Sequence, residues 1–190
     1  LLTIGAEKGW FSKKQCTIRD GDIVDVDGDV DMNRFVLTEI PINFGRVSGN
    51  FKIDQNNLTD LKGSPSYVGG SFDCSNNGLV TLDGGPSYVG GKYDCSNNLL
   101  STLVGIPDTM KVFKCTNNRL TNTIGFPKSV IWFEFWDNIY PNVDYLNTTA
   151  TNFKIILKYQ DEYGIWNSDG TLNKDRYDIL VSEHQNKIID

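Results

Sequence analysis

The feature that leaves this chain least freedom is a period of 20–21 residues running through its middle. Met32, Ile53, Cys74, Cys95, Cys115 and Phe135 succeed one another at steps of 21, 21, 21, 20 and 20. Two residues before them stand Val30, Phe51, Phe72, Tyr93, Phe113 and Phe133. Three residues after them stand Phe35, Asn56, Asn77, Asn98, Asn118 and Asn138, and five after stand Leu37, Leu58, Leu79, Leu100, Leu120 and Tyr140. Such a repeat predicts a stack of short coils in which no unit buries its apolar face alone and each neighbour completes the core. The apolar-x-apolar step predicts one short strand per coil, and parallel neighbours about 4.8 Å apart carry six strands across about 24 Å.

The second half of each unit is as regular. Leu61, Leu82 and Leu103 are succeeded by Gly63-Ser-Pro65, Gly84-Gly-Pro86 and Gly105-Ile-Pro107, with Gly125-Phe-Pro127 continuing the series. Val68, Val89, Met110 and Val130 come next. A proline inside so short a return arm leaves no room for a helix, so this side is expected to be extended or polyproline-like. Gly69-Gly70, Gly90-Gly91 and Ser48-Gly49 read as positions that supply backbone angles side chains resist. The repeated Asn stands where the chain leaves the strand, and its amide is expected to bond backbone groups that the turn leaves unpaired.

Residues 1–24 carry no repeat. Strand-forming residues on both sides of the two-residue turn signal Asp20-Gly21 predict a hairpin that caps the first coil, since an open solenoid end exposes apolar side chains and a free strand edge. The acidic run Asp25, Val26, Asp27, Gly28, Asp29, Val30, Asp31 has two readings. One is a calcium loop, but Val36 stands where an EF-hand needs its closing Glu. The other, which fits better, is strand and turn with Val26, Val30 and Met32 inward and the aspartates outward. After residue 140 the pattern stops. Phe153, Ile156, Leu157 and Gln160 share one helical stripe over 150–161, with capping residues between Thr148 and Asn152. Tyr163-Gly-Ile-Trp166 and Asn167-Ser-Asp-Gly170 read as turns, and a second helix over 172–186 is expected to bury Tyr177, Leu180, Val181 and His184. The expected organisation is one domain: an N-terminal β cap (1–24), about six coils (25–140) and a helical C-terminal cap (141–190).

The formal charge of -6 and a sequence pI near 4.8 disfavour a nucleic-acid surface, which needs a basic patch or stripe. No apolar run reaches the roughly 18–20 residues of a membrane-spanning helix. Because Leu1 rather than Met stands first, the sequence reads as a processed or partial product, and a removed signal peptide is compatible with it. Cys74, Cys95 and Cys115 occupy one repeat position, a spacing unlike the close pairs of zinc sites. They read as small core residues, with a disulfide between neighbouring coils as the alternative, and a reducing compartment such as a bacterial cytoplasm is the easier fit.

The units Phe72 to Pro86 and Tyr93 to Pro107, with their apolar-x-apolar-x-x-Asn-x-Leu core, resemble leucine-rich repeats of the short bacterial kind found in secreted effectors. The resemblance is closer to leucine-rich-repeat proteins of tailed bacteriophages and some bacteria. It is carried by the entry Ile23-Val-Asp-Val-Asp-Gly-Asp-Val30, by Ile40-Pro41, by Phe44-Gly45-Arg-Val47, and by units ending in Pro-x-x-Val-Gly-Gly. It covers residues 17–140 and implies a β-rich solenoid with an extended convex side. It implies no activity. Pro41 comes earlier in its unit than Pro65 or Pro86, and Phe35 replaces the Asn, as befits an entry coil. The effectors' ligase domain, with its nucleophilic cysteine, has no counterpart in 141–190.

Nothing in the sequence assembles a catalytic pair. His184 is the single histidine and falls on an apolar helical stripe, so a packing or hydrogen-bonding role is expected. The Gly-Gly pairs lack the residues that make a phosphate loop. No enzymatic activity, cofactor or metal is expected. The candidate surface is the concave strand face, where Lys52 and Asp54, Asp73 and Ser75, Asp94 and Ser96, Lys114 and Thr116, and Glu134 and Trp136 flank the inward residues. Across coils, Lys52 with Asp73, Asp94 with Lys114, and Lys114 with Glu134 are expected to pair, each weakly because exposed. Trp132 and Trp136 flank Glu134 and are either hot-spot residues for a partner or covered by the C-terminal helices. The expected function is recognition of a protein partner, with a host protein as the target of a phage-encoded factor; the alternative is a structural component of a virion or other assembly.

Overall fold

In the computed structural model, which describes residues 2–134, 136–138 and 150–184, the repeat becomes a β-solenoid of about five turns. The aromatic position of each coil lies in register with the next: Val30, Phe51, Phe72, Tyr93, Phe113 and Phe133 pair in succession. This makes a six-stranded parallel sheet of β3 (Val30–Asp31), β5 (Phe51–Lys52), β7 (Phe72–Asp73), β9 (Lys92–Asp94), β10 (Val112–Lys114) and β11 (Trp132–Glu134). Its inward side chains are fully buried from Val30 to Phe113. Ring succeeds ring along the axis, with centroids 5.8 Å apart for Phe51 and Phe72, 5.0 Å for Phe72 and Tyr93, and 6.3 Å for Tyr93 and Phe113.

The two asparagines at the end of each central strand have separate tasks. Asn76, Asn97 and Asn117 take left-handed backbone angles (φ 55°, 57° and 51°), which Asn tolerates better than most residues. The second Asn then turns inward and joins two coils. Asn98 Nδ2 donates to Cys74 O in the preceding coil (3.1 Å) and to Cys95 O and Ser96 O in its own (3.0 and 3.3 Å), while its Oδ1 accepts from Leu79 N (3.0 Å). Asn56, Asn77 and Asn118 repeat the arrangement, and Asn138 Oδ1 accepts from Leu120 N.

The return arms contain a second sheet. β1 (Cys16–Arg19), β2 (Ile23–Val26), β4 (Phe44–Val47), β6 (Tyr67–Val68) and β8 (Tyr88–Val89) lie in that order. Only β1 on β2 is antiparallel. The expected extended arm is therefore a paired strand in these coils, not polyproline, because Val47, Val68 and Val89 alternate inward and are fully buried. The sheet ends at β8, where the Thr109 hydroxyl accepts from Val89 N and donates to Val89 O (3.0 and 3.1 Å).

Between the sheets the chain turns at the glycine pairs, for a reason other than the one expected. Gly69 and Gly90 do not have positive φ. Instead, a Cβ on Gly69 would meet Ser48 O at 2.2 Å, and one on Gly90 would meet Gly69 O at 2.3 Å. Backbone stacks on backbone at this corner, and a side chain would push the coils apart.

Asp25, Asp27 and Asp29 serve the next coil: they accept from Arg46 N (2.7 Å), the Ser48 hydroxyl (2.8 Å) and Asn50 N (2.6 Å). The hairpin β1–β2 turns through three residues, Asp20 to Asp22, not two. A short helix α1 (Leu2–Glu7), not anticipated, leads to Trp10 and Phe11, whose buried rings meet Phe35 and Phe44 edge-on. All four cysteines are free thiols, so the disulfide alternative is not formed. Burial pushes the Cys74 and Cys95 thiols well above their usual range.

Two helices end the described chain, α2 (Ala150–Tyr163) and α3 (Lys174–His184). Ile156, Leu157 and Gln160 are buried as expected, as are Tyr177, Leu180 and His184; Val181 is partly buried. Gln160 holds α2 to the repeats by donating to Thr123 O (3.0 Å) and accepting from the Thr123 hydroxyl. His184 stacks on Tyr159 with centroids 4.1 Å apart. Phe135, Tyr140, Thr148, residues 185 and 186 and the side chain of Phe153, on which other expectations rest, lie outside the described residues.

Replacing Asn98 with Ala strands carbonyls of two coils and Leu79 N, and unfolding in urea should show a loss of about 2–4 kcal/mol. Asn97→Gly, at the left-handed position beside it, should cost less than about 1 kcal/mol. Equal losses would contradict the division of labour between the two asparagines.

Candidate functional site

The exposed side of the six-stranded sheet carries three parallel rows, because alternate residues of each strand face the same way. Lys52, Asp73, Asp94, Lys114 and Glu134 form the middle row, as the alternation requires. Their pairing differs from the expected one. Lys114 and Glu134 do pair (2.9 Å), but Lys52 turns back to Asp31 (3.8 Å) instead of forward to Asp73. Asp94 pairs not with Lys114 but with Lys92 (3.0 Å), which also approaches Asp73 (3.7 Å).

Lys92 is the residue that sequence reasoning missed. The signal was available: position 92 precedes Tyr93 as Trp132 precedes Phe133, so both face outward by the same alternation. Lys92 sits between two carboxylates that are direct cross-strand neighbours, Asp73 opposite Asp94. Burial by itself would lower the Lys92 ammonium, yet its bond to Asp94 and the charges of Asp94 and Asp73 together hold it above its ordinary value. Burial pushes the Asp73 carboxyl up, the Ser75 hydroxyl (2.7 Å) opposes this, and Asp94 adds to it. Both groups are raised, but with opposite effect on their charged forms: Lys92 enjoys two anions, whereas Asp73 holds the more distant share of one cation.

Several expected contact residues are withdrawn from solvent. Asp54, Ser75, Asp94 and Ser96 are buried between their neighbours, with Asp54 accepting from Gln55 Nε2 (3.1 Å) and Asp94 from Ser96 N (3.2 Å). Lys52 is half-exposed, and Asp73, Lys114, Thr116 and Glu134 are partly exposed. The left-handed turn residues form a polar rim: Arg34 Nε donates to Gln55 Oε1 (3.0 Å) and Asn117 Nδ2 to Asn97 Oδ1 (2.8 Å).

Towards the last coil the face becomes aromatic. Trp132 is 47% and Trp136 58% exposed, so the described helices α2 and α3 leave both indoles open, contrary to the second alternative. Lys114 Nζ lies 5.1 Å from the Trp132 ring centroid while it pairs with Glu134. The arrangement is a platform of two indoles around one charge pair, able to bury apolar area against a partner. It brings together Lys114, Trp132 and Glu134, with Trp136 two residues on from Glu134 and exposed, whereas Lys52 and Asp54 lie coils away. Among the described residues no group of three or more His, Cys, Asp or Glu side chains is arranged to hold a metal ion. Compared with known proteins, the chain matches no family model, no curated protein and no solved structure.

The raised Asp73 carboxyl has a definite pH consequence. A carboxyl raised on folding contributes stability below its unfolded value, near 3.9, and loses that contribution as pH rises through its folded value. Asp73→Asn, which stays neutral, should therefore melt above the wild type at pH 7, and the gap should close by about pH 3. Thermal melts across this range check it; a wild type that melts higher at pH 7 would contradict it.

Proposed function

We propose that this chain is a leucine-rich-repeat protein of the short bacterial and bacteriophage type whose concave strand face recognises a protein partner, without catalysis. The repeat assignment rests on the 20–21-residue period and on the inward asparagine at the end of each strand. In this reading, α1 and the hairpin β1–β2 cap the first coil, and α2 and α3 cap the last. The resemblance to phage proteins makes a bacterial host protein the partner class to test first.

The observation that carries the reading is the pair of open indoles. Two tryptophans of one coil, about half of each in solvent, stand either side of Glu134 in the sequence, and Lys114, paired with Glu134, lies 5.1 Å from the Trp132 ring. Exposed large aromatics beside satisfied polar groups are the usual centre of a protein interface, because they contribute large area at small entropic cost. Lys52, Asp73 and Lys92 extend the surface along the coils, and Asp54, Ser75, Asp94 and Ser96 lie buried between their neighbours on it.

Immobilised protein should retain a specific partner from a host extract. Trp136→Ala, and independently Trp132→Ala, should weaken that partner by about 30-fold each, the scale of a truncated hot-spot residue, with the circular dichroism spectrum unchanged. Retention unaffected by both substitutions and by Lys52→Glu would exclude the concave face.

A further inference from the structure

We infer that the free edge of the second sheet pairs with a second copy of this chain: β1 adds antiparallel to β1 of another molecule about a two-fold axis at Ile18, so that the two sheets continue into one another. This contact does not rest on the reading given for the concave face.

The edge is open in its backbone. β1 is the end strand of its sheet and pairs only with β2, with Thr17 opposite Asp25 and Ile18 opposite Val24. Val24 N donates to Asn43 O and Val26 O accepts from Ser48 N, so the peptide groups of Val24 and Val26 point away from β1. Asp27 N points the other way, to Gln15 O. By the alternation of a strand, Ile23 and Asp25 then serve β1, where Arg19 and Thr17 meet them. The N–H and C=O of Ile18 therefore point outwards, and among the described residues no hydrogen bond reaches them.

The edge is open in its side chain as well. Cross-strand partners share a face, and Val24, the partner of Ile18, is buried, while Cys16 two residues before it packs against the core. Ile18 thus projects from the core-facing side of the sheet, yet 55% of it lies in solvent. A further strand on this edge would cover it.

Charge selects which strand. Lys13 and Lys14 precede β1, Asp20 and Asp22 follow it, and all four are exposed. Arg19 is already paired with Asp25 (2.9 Å), which leaves the two ends of the strand to set the local field. An antiparallel copy brings the lysines of each molecule to the acidic turn of the other, whereas a parallel copy sets like against like. The axis at Ile18 makes the two isoleucines exchange their peptide hydrogen bonds and cover each other on one face. Lysines beside a short edge strand ordinarily discourage pairing. Here they find carboxylates in the antiparallel self-pair, so the residues that repel other edges favour this one. A contact of one short strand is small, and the association is accordingly weak and reversible.

The test uses the whole chain in reducing buffer, followed by sedimentation equilibrium up to about 1 mM, the range in which so small a contact is populated. The wild type should approach a dimer as concentration rises, and exchange of the Ile18 amide should slow in step. Ile18→Pro removes the outward N–H without taking a bond from the β1–β2 ladder, and Ile18→Lys places a charge at the axis. Each should weaken association at least about tenfold with the circular dichroism spectrum unchanged. Lys13→Glu with Lys14→Glu, and separately Asp20→Lys with Asp22→Asn, should each give a monomer alone and associate when mixed, since only the mixed pair restores opposite charges at both ends. A wild type monomeric throughout, a dimer that survives both Ile18 substitutions, or a mixture that does not associate would each overturn the proposal.

Discussion

One carboxamide per coil, inserted between two layers of backbone, is the interaction on which the rest depends. Asn98 is bonded at once to carbonyls of its own coil and of the one before, and to the amide of Leu79. A turn that leaves a strand inward exposes backbone groups to an apolar core, and such groups are expensive to leave unpaired. The asparagine both satisfies them and fixes the spacing of neighbouring layers. Coil-to-coil register is set by that spacing, and the aromatic column from Phe51 to Phe113 falls into contact at 5.0–6.3 Å.

The fixed spacing also shapes the surfaces. On the six-stranded sheet, small or acidic residues over tightly spaced strands become buried, as Asp54, Ser75, Asp94 and Ser96 are, and long or large side chains reach solvent. The accessible features are therefore Lys52, Lys92 and the two indoles. At the corner between sheets the same spacing brings Ser48 O within 2.2 Å of where a Gly69 Cβ would stand, so glycine is required for packing. On the second sheet it stacks Tyr67 on Tyr88. One repeat distance thus produces a buried apolar core, a charged face and an aromatic shelf.

The period made the first sheet, its register and its inward residues legible, because each repeats at a step that only stacking satisfies. Ile156, Leu157 and Gln160 were legible for a similar reason, a shared helical stripe. The second sheet was harder to read: Tyr67-Val68 and Tyr88-Val89 are too short for periodicity, and the nearby prolines suggested polyproline. The ion pairs were not legible, since Lys52 can turn to either neighbouring coil and only the packed geometry sends it to Asp31. Lys92 was within reach of the alternation rule. The role of Gly69 was not, because its reason lies in an atom of another coil. The left-handed Asn76, Asn97 and Asn117 show that a doubled residue carried two different physical roles.

Amide hydrogen exchange tests the asparagine ladder most directly. Leu58, Leu79 and Leu100 donate their backbone N–H not to backbone but to the side chains of Asn77, Asn98 and Asn118 in the next coil. If the ladder holds the coils together, these amides exchange only by global unfolding, at the slowest rates in the chain and together with the strand amides of Cys74 and Cys95. Exchange of the three leucine amides at the rate of surface turns, with the strand amides still protected, would contradict it.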